Sequence, residues 1–198
     1  MLYFRKEKNN LSLLTAIVSA AISGEQLSPS ISTSQNYKHW VSVEDFKRCI
    51  ICAKNHGCIW LITEIPLPEP PVHPNCRCII EPMQAIKAGT ATFVYKNGAD
   101  WYLKQKQSLP NNYISQQKLK SLGWRRGKPI SSFAKGMILT KGIYHNANGH
   151  LPYAEGRTWY EADINYKSGN RNSQRILWSS DGLIFVTYDH YKTFYEII

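Results

Sequence analysis

Between Arg157 and Tyr191 the sequence gathers groups able to move protons and hold negative charge: the carboxylates Glu161 and Asp163, the guanidinium groups Arg171 and Arg175, the imidazole His190 and the phenol Tyr191. The run 157–166, RTWYEADINY, alternates so that Trp159, Glu161, Asp163 and Asn165 fall on one strand face and Tyr160, Ala162 and Ile164 on the other. One face is expected to be core, the other polar and accessible. Alone, two carboxylates on such a face read as solvated surface. A turn signal at Ser168 and Gly169, followed by the strand-like run Gln174 to Ser179, changes that reading. An antiparallel return would set Arg171 and Arg175 beside the carboxylates, where Asp163 can brace an arginine. A further strand, Leu183 to Tyr188, then delivers His190 and Tyr191 at a loop or strand edge. A carboxylate to accept a proton, an imidazole with an ordinary pKa of about 6.5 to give one, and cations to hold phosphorane charge are the set that metal-independent RNA cleavage requires.

A second group of reactive side chains lies upstream. All five cysteines, Cys49, Cys52, Cys58, Cys76 and Cys78, fall in one segment with His56 and His73. Cys49 and Cys52 form one close pair, and His73 and Cys76 another with Cys78 behind it, a spacing that suits a tetrahedral structural zinc. The expected ligands are Cys49, Cys52, His73 and Cys76, with Cys78 a substitute. Disulfides, favoured in a secreted chain, and buried free thiols are the competing readings. Catalytic zinc is disfavoured, because no clear general base stands nearby.

These groups need elements to position them, and composition bounds what those elements can be. The chain has 198 residues and 43% hydrophobic content, enough for a packed core. Its 24 Lys and Arg outnumber 14 Asp and Glu for a formal charge of +10, and 12% of its residues are aromatic. That balance points to a polyanionic partner, nucleic acid before an acidic membrane face. Arg5, Lys6 and Lys8 precede the apolar run Leu11 to Ser23, which has the outline of a secretory signal and equally of a short helix in a fragment. The run is too short for an ordinary transmembrane helix and no other stretch reaches spanning length, so integral membrane association is not expected. Residues 24–36, Ser-, Gln- and Pro-bearing, read as linker. The expected organisation is therefore 1–36 as signal-like or remnant segment and linker, 37–83 as a Cys/His-rich unit, 84–98 as connector, and 99–198 as the unit carrying the chemistry. Pro66, Pro68, Pro70, Pro71 and Pro74 must cross the Cys/His unit as an extended loop.

Two resemblances follow from particular residues. Cys49 to Cys52 and the run 70–78, PPVHPNCRC, resemble the tail of phage minor head proteins of the Mu F type over about residues 40–80. This implies a delivery or virion-associated module, but the rest of such a protein is missing, so no packaging role is implied. The runs 109–114 (LPNNYI), 122–124 (LGW), 156–166 (GRTWYEADINY), 168–177 (SGNRNSQRIL) and 189–194 (DHYKTF) closely resemble the barnase-type microbial ribonucleases, in order and at consistent spacing.

The second resemblance implies an α+β fold in which small helices, about Ala99 to Gln107 and Ser115 to Leu122, pack on a five-stranded antiparallel sheet. It implies Glu161 as general base, His190 as general acid, Arg171 and Arg175 as phosphate cations, and Tyr191, with Asn146 and Tyr144, at the base. Arg157 and Asp181 match a structural ion pair. No cofactor is implied for catalysis. RNA is the implied substrate, an acidic inhibitor of the barstar type an implied partner, and a secreted or phage-delivered toxin acting in a target cell's cytoplasm an implied role. The sequence departs from the family at Gln116, where a lysine is expected, and at Asn148, where a glutamate that reads guanine is expected; Lys118 or Lys141 could supply the missing cation. A catalytically weakened RNA-binding module and a zinc-dependent nuclease centred on the Cys/His unit are the alternatives.

Overall fold

The computed structural model describes residues 29–198. Among them nine strands join in one sheet: β1 (Ile31–Val41), β2 (Ile59–Leu61), β3 (Ile79–Ile86), β4 (Tyr113–Ser115), β5 (Ile138–Tyr144), β6 (Trp159–Asp163), β7 (Arg175–Ser179), β8 (Ile184–Thr187) and β9 (Tyr195–Ile197). Three helices accompany them, α1 (Ile50–Asn55), α2 (Ala99–Lys106) and α3 (Gln116–Ser121). The strand order is β2-β1-β3-β9-β8-β7-β6-β5-β4.

The sheet is larger than the five strands expected. β5 to β9 do form a five-stranded antiparallel meander. Its β5 edge is extended by β4, running parallel, and its β9 edge by β3, also parallel, through Ala85 opposite Glu196 and Ile86 opposite Ile197. β1 then pairs with both β3 and β2. An edge strand with open N–H and C=O groups is a template for further pairing, and here the upstream segment occupies that edge. Residues 31–36, read as linker, form the first part of β1. Their polar side chains have partners: Ser34 Oγ donates to Glu196 Oε2, and Asn36 Nδ2 donates to Glu196 Oε1 at 3.0 Å. The signal-like run lies outside the described residues. Among the described residues no helix is long and apolar enough to cross a membrane.

Three apolar clusters hold the sheet. On one face α2 lays Ala99 and Leu103 against Ala162, Ile164, Ile176, Ile184 and Val186. Asp100, fully buried in the first turn of α2, accepts from Gly89 N (2.7 Å), Ala91 N (3.0 Å) and Thr92 Oγ1 (2.9 Å), so the stretch between β3 and α2 is closed by one carboxylate. α3 begins at Ser115, whose hydroxyl accepts from Lys118 N at 3.1 Å as an N-cap. Its Leu119 packs with Ile114, Trp124, Ile130, Leu139 and Tyr166. On the opposite face Trp159, Leu177, Phe185 and Phe194 are covered by Tyr37, Ile59 and Met83 from upstream.

Candidate functional site: a buried carboxylate among cations

The antiparallel pairing of β6 with β7 sets Asp163 opposite Arg175 and Glu161 opposite Leu177. Because side chains alternate, Glu161, Asp163 and Arg175 share one sheet face, as the sequence alternation requires. That face is not the accessible polar surface expected. Glu161 and Arg175 are each 3% exposed, and Asp163 is wholly enclosed. Charges tolerate such burial only when paired. Arg171 forks onto Asp163, its Nε donating to Oδ2 at 2.6 Å and its Nη2 to Oδ1. Arg175 Nε lies 3.2 Å from the same Oδ1 and 3.5 Å from Glu161 Oε1. Asp163 therefore fixes both guanidinium groups beside Glu161.

A lysine from another element stands beside Glu161. Gln116 opens α3, and Lys118 lies exposed on that helix. Lys141 Nζ instead sits 2.7 Å from Glu161 Oε1. The β5–β6 register explains the reach. Thr140 pairs with Ala162 and Gly142 with Glu161, leaving Lys141 as an extra residue in a bulge. Gly142, at φ +82°, takes the left-handed conformation this bulge needs, and the local bend aims Lys141 at the carboxylate. Glu161 Oε1 and Arg175 Nε nonetheless lack an aligned hydrogen bond, a rare state for buried polar atoms. The carboxylate is held by the cations around it.

His190 and Tyr191 follow β8 in a strained turn, with φ +62° and +70°. Consecutive non-glycine residues in the left-handed region are costly and persist only where their surroundings impose them. Asp189 Oδ1 accepts from Thr187 Oγ1 (3.0 Å), Lys192 N (3.1 Å) and Thr193 N (2.9 Å). Thr187 Oγ1 accepts from Tyr191 N at 3.0 Å, and His190 N donates to Ser173 O at 3.2 Å. The result is an exposed His190 whose backbone is tied to Ser173, between Arg171 and Arg175 in the chain, and whose ring centroid lies 4.7 Å from that of Tyr191. Burial pushes the Tyr191 phenol far above its ordinary value, and the neighbouring Glu161 carboxylate pushes the same way, so it stays protonated. Asp189 and Thr187 went unrecognised in the sequence; an Asp preceding a short, non-helical aromatic segment is an Asx-turn signal that could have found them.

Tyr144, at the end of β5, stacks on Tyr191 with centroids 5.5 Å apart. Burial, then Glu161, raises its phenol as well. The loop 145–152 after it is closed by Asn146: Nδ2 donates to Leu151 O (2.9 Å), and Oδ1 accepts from Leu151 N (3.1 Å). Asn146 thus shapes this loop with its whole amide. Asn148 pairs with His150, with 3.0 Å between Nδ2 and Nδ1. At the far end, Arg157 and Asp181 form the expected ion pair, Nη2 to Oδ2 at 2.7 Å.

The Cys/His cluster forms a separate site. All five thiols are free. Cys52 Sγ lies 3.4 Å from His73 Nε2 and 3.9 Å from Cys76 Sγ, while Cys49 Sγ accepts from Cys52 N at 3.4 Å. Cys49, Cys52 and His73 converge within 4.8 Å, as do Cys52, Cys76 and Cys78. Zinc–sulfur and zinc–nitrogen bonds of about 2.3 and 2.0 Å at tetrahedral angles require S···S near ~3.8 Å and S···N near ~3.5 Å. His73 Nδ1 lies 2.8 Å from Pro74 O. A proton there, donated to the carbonyl, leaves the Nε2 lone pair free for a metal, the outer arrangement usual for a ligating histidine. The two separations from Cys52 match these values, and the donors form two triads that share Cys52, a set whose chemistry suits zinc.

Comparison with known proteins gives the catalytic unit its family. The profile of the ribonuclease family matches residues 96–198. A ribonuclease of Heyndrickxia coagulans is 46% identical over 100 residues, which is 50% of this chain and 91% of that protein. Ribonucleases of Bacillus intermedius and Bacillus pumilus are also 46% identical over 100 residues, and the match spans 61% of the length of each. The chain belongs to the ribonuclease family, as a barnase-type endoribonuclease.

Proposed function

We propose that this enzyme cleaves single-stranded RNA by transesterification through Glu161 and His190. The Glu161 carboxylate takes the proton of a ribose 2′-hydroxyl, and the 2′ oxygen attacks the adjacent phosphorus. The bond from phosphorus to the 5′ oxygen breaks as His190, protonated, gives its proton to that oxygen. The products are a 2′,3′-cyclic phosphate and a free 5′-hydroxyl. Arg171, Arg175 and Lys141 carry the charge that develops on the phosphorane, where a fixed cation is worth most. Tyr191 and Tyr144 flank the base, and the loop clasped by Asn146 reads its edge; Asn148 removes the carboxylate that would favour guanine.

The observation supporting this reading above others is the buried Glu161, set between Lys141 and Arg175 with a carboxylate oxygen still short of an aligned hydrogen bond. Glu161→Gln should abolish cyclic phosphate formation while leaving the fold and RNA binding intact; undiminished cleavage by that variant would remove Glu161 from the role. Cleavage should persist in chelator, which separates this reading from a zinc-dependent nuclease, and its occurrence at all separates it from a weakened RNA-binding module.

The Cys/His unit holds one structural zinc, in which four side-chain ligands leave no open position for water. Cys49, Cys52, His73 and Cys76 are the ligand set, supported by the contacts that Cys52 makes to His73 and Cys76. The enzyme acts as a secreted or phage-delivered toxin on RNA in a target-cell cytoplasm. Its charge of +10 suits an acidic inhibitor of the barstar type as the protecting partner.

A further inference from the structure

Beyond the pairing of β3 with β9 and the cover that Tyr37 and Met83 give the sheet, the Cys/His unit reaches the two loops beside the active site. Trp40, with no exposed surface, packs on Cys52 and Cys78 and carries the cluster's position into the next turn. Trp40 N donates to Cys58 O at 3.0 Å, and Gly57 N donates to Trp40 O at 2.9 Å. The residues so held then meet both loops of the active site. Ile59 N donates to His150 O at 2.8 Å. The Ile59 side chain packs in one cluster with Leu151, Phe194 and Tyr191. At Gly57, φ +82°, a Cβ would stand 3.4 Å from Lys192 O and 3.7 Å from the His150 ring, so the backbone there lies directly on both loops. His150, edge-on to Phe194 with centroids 6.2 Å apart, closes the contact. Of these residues only Tyr191 neighbours Glu161 and Arg175; Gly57 and Ile59 act on the loops alone.

We propose that the metal-held Cys/His unit braces the loops 145–152 and 189–193, so that discrimination among RNA bases depends on a metal that takes no part in cleavage. This rests on the readings of the cluster as a zinc site and of 145–152 as the base-reading loop. A loop of that length, clasped internally by one asparagine, retains freedom to move as a unit. An outside hydrogen bond and an apolar contact remove that freedom, and the ordering appears as selectivity. Without the metal, the turn 56–59 loses the fixed α1 that leads into it and Trp40 loses its packing partners, while β5 to β9 keep their pairing.

The test uses the full chain. Metal content is measured first, and cobalt(II) is substituted to look for the thiolate charge-transfer and intense visible bands of a tetrahedral site. Cleavage is then followed with and without metal on short oligonucleotides containing a single ribose, with each of the four bases in turn on it, alongside amide hydrogen exchange. One metal per chain is expected. Its removal should speed exchange at 145–152 and 189–193, leave β6 and β7 protected, and reduce the ratio of kcat/KM between best and worst base by about tenfold, within the range usual for coupled sites. Gly57→Ala, which leaves every metal ligand in place, should retain the metal and lose selectivity in the same direction. A chain that binds no zinc or cobalt overturns the metal reading and the inference with it. A chain that binds metal but keeps loop exchange and selectivity on losing it overturns the brace alone. Loss of protection throughout the sheet would make the metal a determinant of the whole fold and also overturn the brace. Asn146→Ala serves as the control for the loop: base preference unmoved by that change would overturn the loop's role as reader.

Discussion

At the scale of single residues, the cation beside Glu161 comes from a strand and not from the helix that opens at Gln116. A lysine at the start of α3 would sit on a helix end; Lys141 instead rises from a bulge in the strand beside Glu161 and reaches its carboxylate at 2.7 Å. Placing the cation on a sheet that also carries Glu161 and Arg175 ties its position to theirs by strand register, not by packing of a short helix. Lys141→Ala should therefore lower kcat by about a hundredfold, the scale of losing one preorganised charge near the transition state, with a smaller change in KM. Single-turnover kinetics on a defined oligonucleotide would measure it. Gln116→Lys should give little in the native background, since the carboxylate already has its cation, but should recover part of the activity in a Lys141→Ala chain. If Lys141→Ala is as active as the native enzyme, the ion pair is a resting contact that RNA displaces.

At the scale of elements, three histidines packed between strands, turns and loops have their pKa values lowered by burial. Burial lowers the pKa of His39, His56 and His150; Glu81 opposes it at the first, Glu44 at the second and a backbone hydrogen bond with Tyr191 at the third. The unfolded chain then takes up protons first as pH falls below about 6.5. Since stability rises with pH wherever the unfolded state binds more protons, the contribution of these contacts is complete above that value and declines below it. Urea denaturation midpoints should drop as pH falls from neutral toward about 5, and His150→Gln should flatten part of that slope. A midpoint independent of pH over this window would show that these rings protonate equally in both states. Legibility also divides by element. The helices α2 and α3 lie where the ribonuclease resemblance implied them, and the strands β6 to β8 follow their sequence cues closely, because apolar alternation and turn residues agree there. β1 was not legible: SQN within it has little strand preference, and it is a strand because β3 lies alongside and Glu196 binds its polar side chains. Glu161 was legible in identity but not in burial, since alternation says which side chains share a face and is silent on what covers it.

At the scale of the molecule, a unit of about half the chain has been extended along its own sheet. The Heyndrickxia coagulans relative is matched over 91% of its length by 100 residues of this chain, so the matched part alone is nearly a whole protein there. Here β3 continues the sheet from β9, and Tyr37, Ile59 and Met83 cover a face where Leu177 and Phe185 have no exposed surface. Extension of this kind replaces a solvated edge and face with a buried one, and side chains that suit the new interior no longer suit water. A chain starting at Ala91 keeps Glu161, His190, Lys141 and both arginines, yet would expose Leu177 and Phe185 and strip Glu196 of its Ser34 and Asn36 partners. Re-exposing large apolar side chains costs about 1.5–3 kcal/mol each, so the shortened chain should lose several kcal/mol in urea unfolding while cutting RNA wherever it remains folded. Activity per folded molecule, obtained by scaling cleavage to the folded fraction at each urea concentration, separates the two effects. A shortened chain as stable as the full one would mean that the apolar face closes on itself, and that the upstream strands are attached to the catalytic unit without supporting it.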